Sequence, residues 1–231
     1  MLLMNKCIGT IARMGGTPAV LYPFVDSLVD MVQWNAQYLC QAGEYIHYPR
    51  PPRVSIHDVA RNLIAENMRG DWVLMLDTDH SFDPDITFRL MNVADRTGAD
   101  VVTGVYQYKD APHSPVIFRQ QEDGLYPIGG WDEKVDILEV DSAGGGCLWI
   151  KRSVFERISN ELDEQPFARI AGYGEDHSFF LRLKKLNIKF VCAMNVESHH
   201  LQIRPLSMKD YDRESIELQE AKMAFGYNSI G

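Results

Sequence analysis

The stretch "VLMLDTDHSFDPDI", residues 73–86, runs from four apolar residues into two aspartates one position apart, then a histidine and two further aspartates. The apolar run from Trp72 to Leu76 is continuous rather than alternating, which reads as a strand covered on both faces. Asp77 and Asp79 follow it directly, and on an extended chain residues two apart point the same way. Carboxylates held that close repel each other unless water or a shared cation offsets their charge, so the spacing asks for a divalent ion. Helix capping is the competing explanation, because a helix begins near Pro84. Asp83 suffices as its cap, which leaves Asp77 and Asp79 for the ion.

Upstream, "NKCIGTIA" reads as a first strand. "AVLYPFVDSLVDMVQW" is a helix with Leu21, Val25, Leu28 and Val32 on one face, and Pro23 falls early enough to be tolerated. "EYIHY" is a second strand and "PRPP" a stiff connector. "SIHDVARNLIAENM" is a helix capped by Ser55 with Asp58 three residues on, its apolar face being Ile56, Val59, Ala60, Leu63 and Ile64. Downstream of the aspartates, a helix ends at Gly98 and "DVVTGVY" is a fourth strand. Alternation at this pace predicts parallel strands joined by right-handed crossovers, a Rossmann-like half whose ligands sit at the carboxyl ends of the strands. Beyond residue 105 the pattern changes to the short strands "SPVIFR", "VDILEV" and "GCLWI", with glycines in "SAGGGC" that let backbones approach closely. "RSVFERI" and "EDHSFFLRLKKLN" are helices, the second turning Phe179, Phe180, Leu183 and Leu186 inward. "IKFVCAM" is the last strand, and 207–225 forms a charged helical tail.

The 231 residues allow one substantial α/β domain, and 45% apolar with 24% charged residues is ordinary for a folded protein. A net charge of -9 gives no general attraction to nucleic acid or to an anionic membrane. Lys6 and Arg13 interrupt the apolar N-terminus, and nothing later provides 18 uncharged apolar residues, so no integral membrane segment is expected and the protein reads as cytoplasmic. Cys7, Cys40, Cys147 and Cys192 have no CxxC spacing, so reduced thiols are expected rather than zinc or disulfides.

Three further constellations carry chemistry. Glu175 and Asp176 open a helix after the glycine-flanked Tyr173; one explains itself as a helix-start acid, and the pair suits a general base. His199 and His200 follow the last strand, where neutral imidazoles serve as ligands, His200 ahead of His199. Arg61 either pairs with Asp58 or Glu66 on its own helix or holds a phosphate or nucleotide base.

The order of these motifs resembles the nucleotide-sugar glycosyltransferases of the GT-A fold, family 2. The matching segments are "ARN", "LMLDTDHSF" as the DxD segment, "SAGGGCLWIKRSVFERI", "GEDHSFFLRLKKLNIKF" as the ED segment and the closing histidine of "VESHHL", over roughly residues 5–201. The resemblance implies a single α/β domain over 1–206, with a nucleotide-binding half to about residue 105 and an acceptor half of mixed sheet, followed by a tail at 207–231. It implies a donor that is a nucleotide-diphosphate sugar, UDP- or GDP-linked, and Mn²⁺ or Mg²⁺ held by Asp77 and Asp79, with His200 or His199 completing the site. Arg61 would lie toward the nucleotide, Ile11 and Ala12 against its base, and Asp176 would act as the base of an inverting reaction with Glu175 beside it. Arg13, Met14 and Gly15 depart from the family's usual proline-bearing loop.

Two other classes share part of this pattern. In a haloacid-dehalogenase-like phosphatase Asp77 would be a nucleophile and Asp79 its acid, yet that family's DxD lies on the first strand. A silent nucleotide-sugar-binding domain would keep the fold without turnover. The acceptor is not named by the sequence; Tyr106, Tyr108, Tyr126, Trp131 and Trp149 are the aromatic candidates for sugar stacking.

Overall fold

A computed structural model describes residues 6–14, 20–132 and 134–202. The first half is β1 (Lys6–Arg13), α1 (Tyr22–Leu39), β2 (Glu44–His47), α2 (His57–Asn67), β3 (Trp72–Leu76), β4 (His80–Phe82), α3 (Ile86–Thr97) and β5 (Val101–Val105). The second is β6 (Ile117–Gln121), β7 (Gly124–Pro127), β8 (Ile137–Leu138), β9 (Ser142–Ala143), β10 (Cys147–Lys151), α4 (Arg152–Leu162), α5 (Glu175–Lys185) and β11 (Phe190–His200). The tail expected over 207–225 lies outside the described residues.

The central sheet runs β2-β1-β3-β10-β5-β11-β4, with β8 also on β11, and a small sheet runs β7-β6-β9. β1 is parallel to β2 and β3, and β11 to β5, as the strand-helix alternation predicts. β10 departs from that pattern and lies antiparallel between β3 and β5. The Asp77 N–H donates to the Gly146 carbonyl at 3.0 Å, so β10 starts where β3 stops and must run back along it. Successive residues of β1 and β3 point to opposite faces, and two cores result, Ala12 and Met75 in one, Ile11 and Leu74 in the other. Each such fully buried large side chain contributes roughly 1.5–3 kcal/mol.

Helix existence follows the apolar periodicity, but which stripe turns inward does not always follow it. In α1, Phe24, Met31 and Leu39 are buried while Val25 and Val32 stay 40% and 37% exposed. Two apolar stripes compete there, and the larger side chains win, with the Phe24 ring edge-on to Phe82 at 5.9 Å. Pro23 does fall in the first turn. α2 begins at His57, so its N-cap is Ile56 with no side-chain bond and Ser55 falls one residue short. Its buried face is Ala60, Arg61, Asn62 and Ile64, with Ile56 and Val59 exposed. Asp83 does not cap α3 through its side chain either: the N-cap is Asp85, and the Asp83 carboxylate pairs with Arg89 at 3.0 Å. Gly98 ends that helix in the left-handed region at φ 68°, where only glycine sits without strain. Phe179, Phe180 and Leu183 of α5 are inward as expected. All four cysteines are free, and among the described residues no helix is long and apolar enough to cross a membrane.

Candidate functional site

The carboxyl ends of β3 and β5 open on the same edge of the sheet, and β11 overruns that edge. Expected to stop near residue 194, β11 continues to His200 after an irregularity between Ala193 and Glu197, and pairs antiparallel with β4. Register sets His200 opposite His80, so both rings fall on one face, 4.7 Å apart. The Leu201 N–H donates to the Asp79 carbonyl at 2.7 Å and fixes the DxD turn to the same strand. One ligand atom each from Asp79, His80 and His200 then lies within 4.8 Å of the others. His200 Nδ1 meets the Gln107 carbonyl at 2.9 Å; a carbonyl only accepts, so Nδ1 carries a proton, and the ring is turned so that Nε2 faces Asp79 Oδ2, 3.4 Å away. His80 Nδ1 meets Ser198 Oγ at 2.9 Å. A carboxylate oxygen and two imidazole nitrogens, each ring oriented from behind, fit a divalent cation.

Burial lowers the His80 pKa to about 4, the opposing pull of Asp77 being too weak to hold it up. The ring is therefore neutral, and free to ligate, at ordinary pH. Burial works to raise the Asp79 pKa, but the Lys109 ammonium bonded to the carboxylate outweighs it and lowers it. The His80 shift is also a stability statement: above the unfolded pKa near 6.5 both states hold the ring neutral, and below it only the unfolded chain takes up the proton. Stability should thus decline from pH about 6.5 to about 4 by about 3 kcal/mol, and denaturant unfolding across that range should show a flatter profile for His80→Gln.

Beside this cluster stands Arg61, with its guanidinium enclosed. Nη1 donates to the Gly145 carbonyl at 2.9 Å, Nη2 to Asp77 Oδ1 at 3.2 Å, and Nε lies 3.6 Å from Glu175 Oε1. Burial opposes the charge, but Asp77, Glu175 and Asp176 more than offset it and raise the Arg61 pKa. The glycines of "SAGGGC" now have a reason: a Cβ on Gly145 would lie 2.6 Å from Arg61 Cζ, and one on Gly146 2.7 Å from His80 Cε1.

Several expected site residues are placed differently from the expectation. Arg61 pairs with neither Asp58 nor Glu66, and it offers no open face to a nucleotide; it ties the strand end to the start of α5. Asp77 belongs to this pair rather than to the Asp79 cluster. Glu175 is buried among Arg61, His57 and Arg169, at 3.6, 3.7 and 3.9 Å. Asp176, the second residue of α5, is half-buried, and its Oδ1 accepts the His177 N–H at 2.7 Å. His199 points to the other side of β11, its side chain 63% exposed and 3.8 Å from Glu197, because adjacent strand residues alternate faces. Ile11 and Ala12 are core residues, since β1 runs on to Arg13 before the edge is reached. Trp149 is buried beside Trp72, and Tyr106 lies under the rings of His80 and His200, its hydroxyl accepting the Gly146 N–H at 3.2 Å. Tyr108, Tyr126 and Trp131 remain exposed.

The sequence reading missed His80 and Lys109. His80 stands in the quoted stretch, but on an extended chain it points away from Asp79; only the pairing of β4 with β11 brings it back. Lys109, with Nζ 2.5 Å from Asp79 Oδ2, sits in a loop without any motif.

The sequence model described as glycosyl transferase family 2 matches residues 26–159, more than half of the chain. No curated protein matches it. Among solved structures, A197 from STIV aligns at a TM-score of 0.53 and 20% identity, over 84% of this chain and 86% of that one. S. aureus TarS 1-349, in complex with UDP-GlcNAc, aligns at 0.50 and 10% identity, over 90% of this chain and 62% of that one. Likeness at these identities concerns the fold, a mixed α/β domain around a mostly parallel sheet.

Proposed function

Since the chain belongs to glycosyl transferase family 2, we propose that it moves a hexosyl unit from a nucleotide-diphosphate sugar to an acceptor hydroxyl, inverting the anomeric carbon, with Asp176 as base. The observation that carries this reading is the meeting, at one sheet edge, of the Asp79–His80–His200 cluster with the start of α5, joined through Arg61, Asp77 and Glu175. The acceptor oxygen bonds to the anomeric carbon as the bond from that carbon to the diphosphate breaks, and the hydroxyl proton passes to an Asp176 carboxylate oxygen. A divalent ion at Asp79, His80 and His200 would supply several kcal/mol by offsetting charge on the leaving diphosphate. Two imidazoles in the donor set favour Mn²⁺ over Mg²⁺. Asp79 would give its carboxylate to that ion, and Asp77 holds Arg61, which faces Glu175 in turn.

The phosphatase reading is not favoured, because Asp77 follows the third strand of the chain rather than its first, and its Oδ1 is held by Arg61. UDP-GlcNAc, bound in the TarS structure, is the first donor to try. We place the reaction in the cytoplasm, where the four free thiols stay reduced.

Calorimetric titration of UDP and GDP, with and without Mn²⁺, tests the assignment. One nucleotide should bind in a metal-dependent way, and Asp79→Ala should remove that dependence by taking away the carboxylate of the cluster. Binding of neither nucleotide would remove the donor class altogether.

A further inference from the structure

Lys109 is the one cation placed directly on the carboxylate of the candidate metal cluster among the described residues. Its Nζ lies 2.5 Å from Asp79 Oδ2, the same oxygen that His200 Nε2 faces at 3.4 Å. The ammonium and the imidazole Nε2 thus converge where a divalent ion would sit. The two positions are mechanically linked. Lys109 rides on a loop that folds back on itself, the Tyr108 N–H donating to Ser114 O at 3.0 Å and the Val116 N–H to Tyr106 O at 2.9 Å. That loop also supplies the Gln107 carbonyl that orients His200. Its backbone is held on both sides, so only the four-carbon stem of Lys109 needs to move for the ammonium to leave. The stem has room, because the Lys109 and Asp79 side chains are 34% and 39% exposed.

An ammonium and a divalent ion on one carboxylate repel each other, and at about 4–5 Å that repulsion is worth more than a partly exposed ion pair recovers. Lys109 and the ion cannot share Asp79 without a further anion. The donor brings one, since a nucleoside diphosphate carries its charge into the same space. We propose that Lys109 is the internal counter-ion of this site: it holds the place of the metal on Asp79 in the free protein and passes to the diphosphate when ion and nucleotide arrive together. This rests on the glycosyl-transfer reading of the site. Its consequence is synergy, in which each of the two ligands strengthens the other by the same factor.

The test is the affinity of the full chain for Mn²⁺ alone, read from the electron paramagnetic resonance signal of the free ion, then repeated with UDP and separately with GDP. Lys109→Met should bind Mn²⁺ alone about tenfold more tightly than the wild type, because the competing charge is gone. The strengthening of Mn²⁺ binding by the nucleotide should shrink by about the same factor, because the diphosphate has lost its second cation. If Lys109→Met and wild type bind Mn²⁺ alone equally while the nucleotide still recruits the ion, Lys109 is an ordinary surface pair and the inference fails by itself. If neither protein takes up Mn²⁺ with or without nucleotide, the metal-dependent reading of the site fails and carries this inference with it.

Discussion

Asp176→Asn should lower transfer by about 10²- to 10⁴-fold while leaving the affinity for Mn²⁺ and nucleotide unchanged. The two adjacent acids at the start of α5 have different surroundings, and these separate their roles. Glu175 is buried and faces Arg61, His57 and Arg169, so its charge is committed to the protein. Asp176 spends one oxygen on the His177 N–H and keeps the other for solvent or an acceptor. It also sits in the first turn of the helix, where the dipole favours a negative charge. Asparagine preserves the size of the side chain and its bond to His177 but takes up no proton, so only the step that needs a base suffers. Steady-state transfer with a simple alcohol acceptor, alongside calorimetry with nucleotide, separates the two effects. Near-normal turnover in Asp176→Asn would move the base elsewhere. Glu175→Gln is the informative neighbour, since its first effect should be on stability through Arg61 rather than on the chemical step.

The parts of this site that the sequence discloses are those in which local pattern and tertiary position agree. The run Trp72–Leu76 is continuous because β3 is covered on both faces, and the aspartates after it fall at a strand end because the strand ends there. Other features depend on partners that no local pattern names. His80 becomes a ligand candidate only through its register with His200, and β11 overruns its expected end because β4 is there to receive it. The antiparallel placement of β10 follows from the bond that ties its start to the end of β3, which periodicity does not reveal. Arg61 falls outside the apolar face that the sequence gives α2, and its burial is explained only once Asp77 and Glu175 arrive from two other elements. For α1 the reason is energetic: two apolar stripes fit the same helical period, and the choice between them is made by how much area each buries.

Arg61 is also where the fold and the site are hardest to separate, and Arg61→Met should cost about 3 kcal/mol of stability. Its side chain is 3% exposed, and it neutralises Asp77 on the β3 end and Glu175 on α5 while donating to the Gly145 carbonyl between them. Methionine fills similar volume, so the packing loss is small and the cost comes from what stays behind. Glu175 is left buried beside only the longer contacts to Arg169 and His57, Asp77 loses its cation, and the Gly145 carbonyl loses its donor. An exposed pair gives the contrast. Arg157 and Glu161 lie 2.6 Å apart on the surface of α4, where water replaces the carboxylate, so Glu161→Gln should scarcely move the unfolding midpoint. Urea unfolding of the two variants makes the comparison. Equal midpoints would show that the strand end and the helix start hold together without Arg61. In Arg61→Lys the charge remains but the planar fork is lost, so one amine must choose between Asp77, Glu175 and Gly145; its stability should fall between wild type and methionine. A chain that unfolds earlier because two acids have lost their common cation should also recover part of that loss as Glu175→Gln is added, since the second change removes the charge that the first left unpaired.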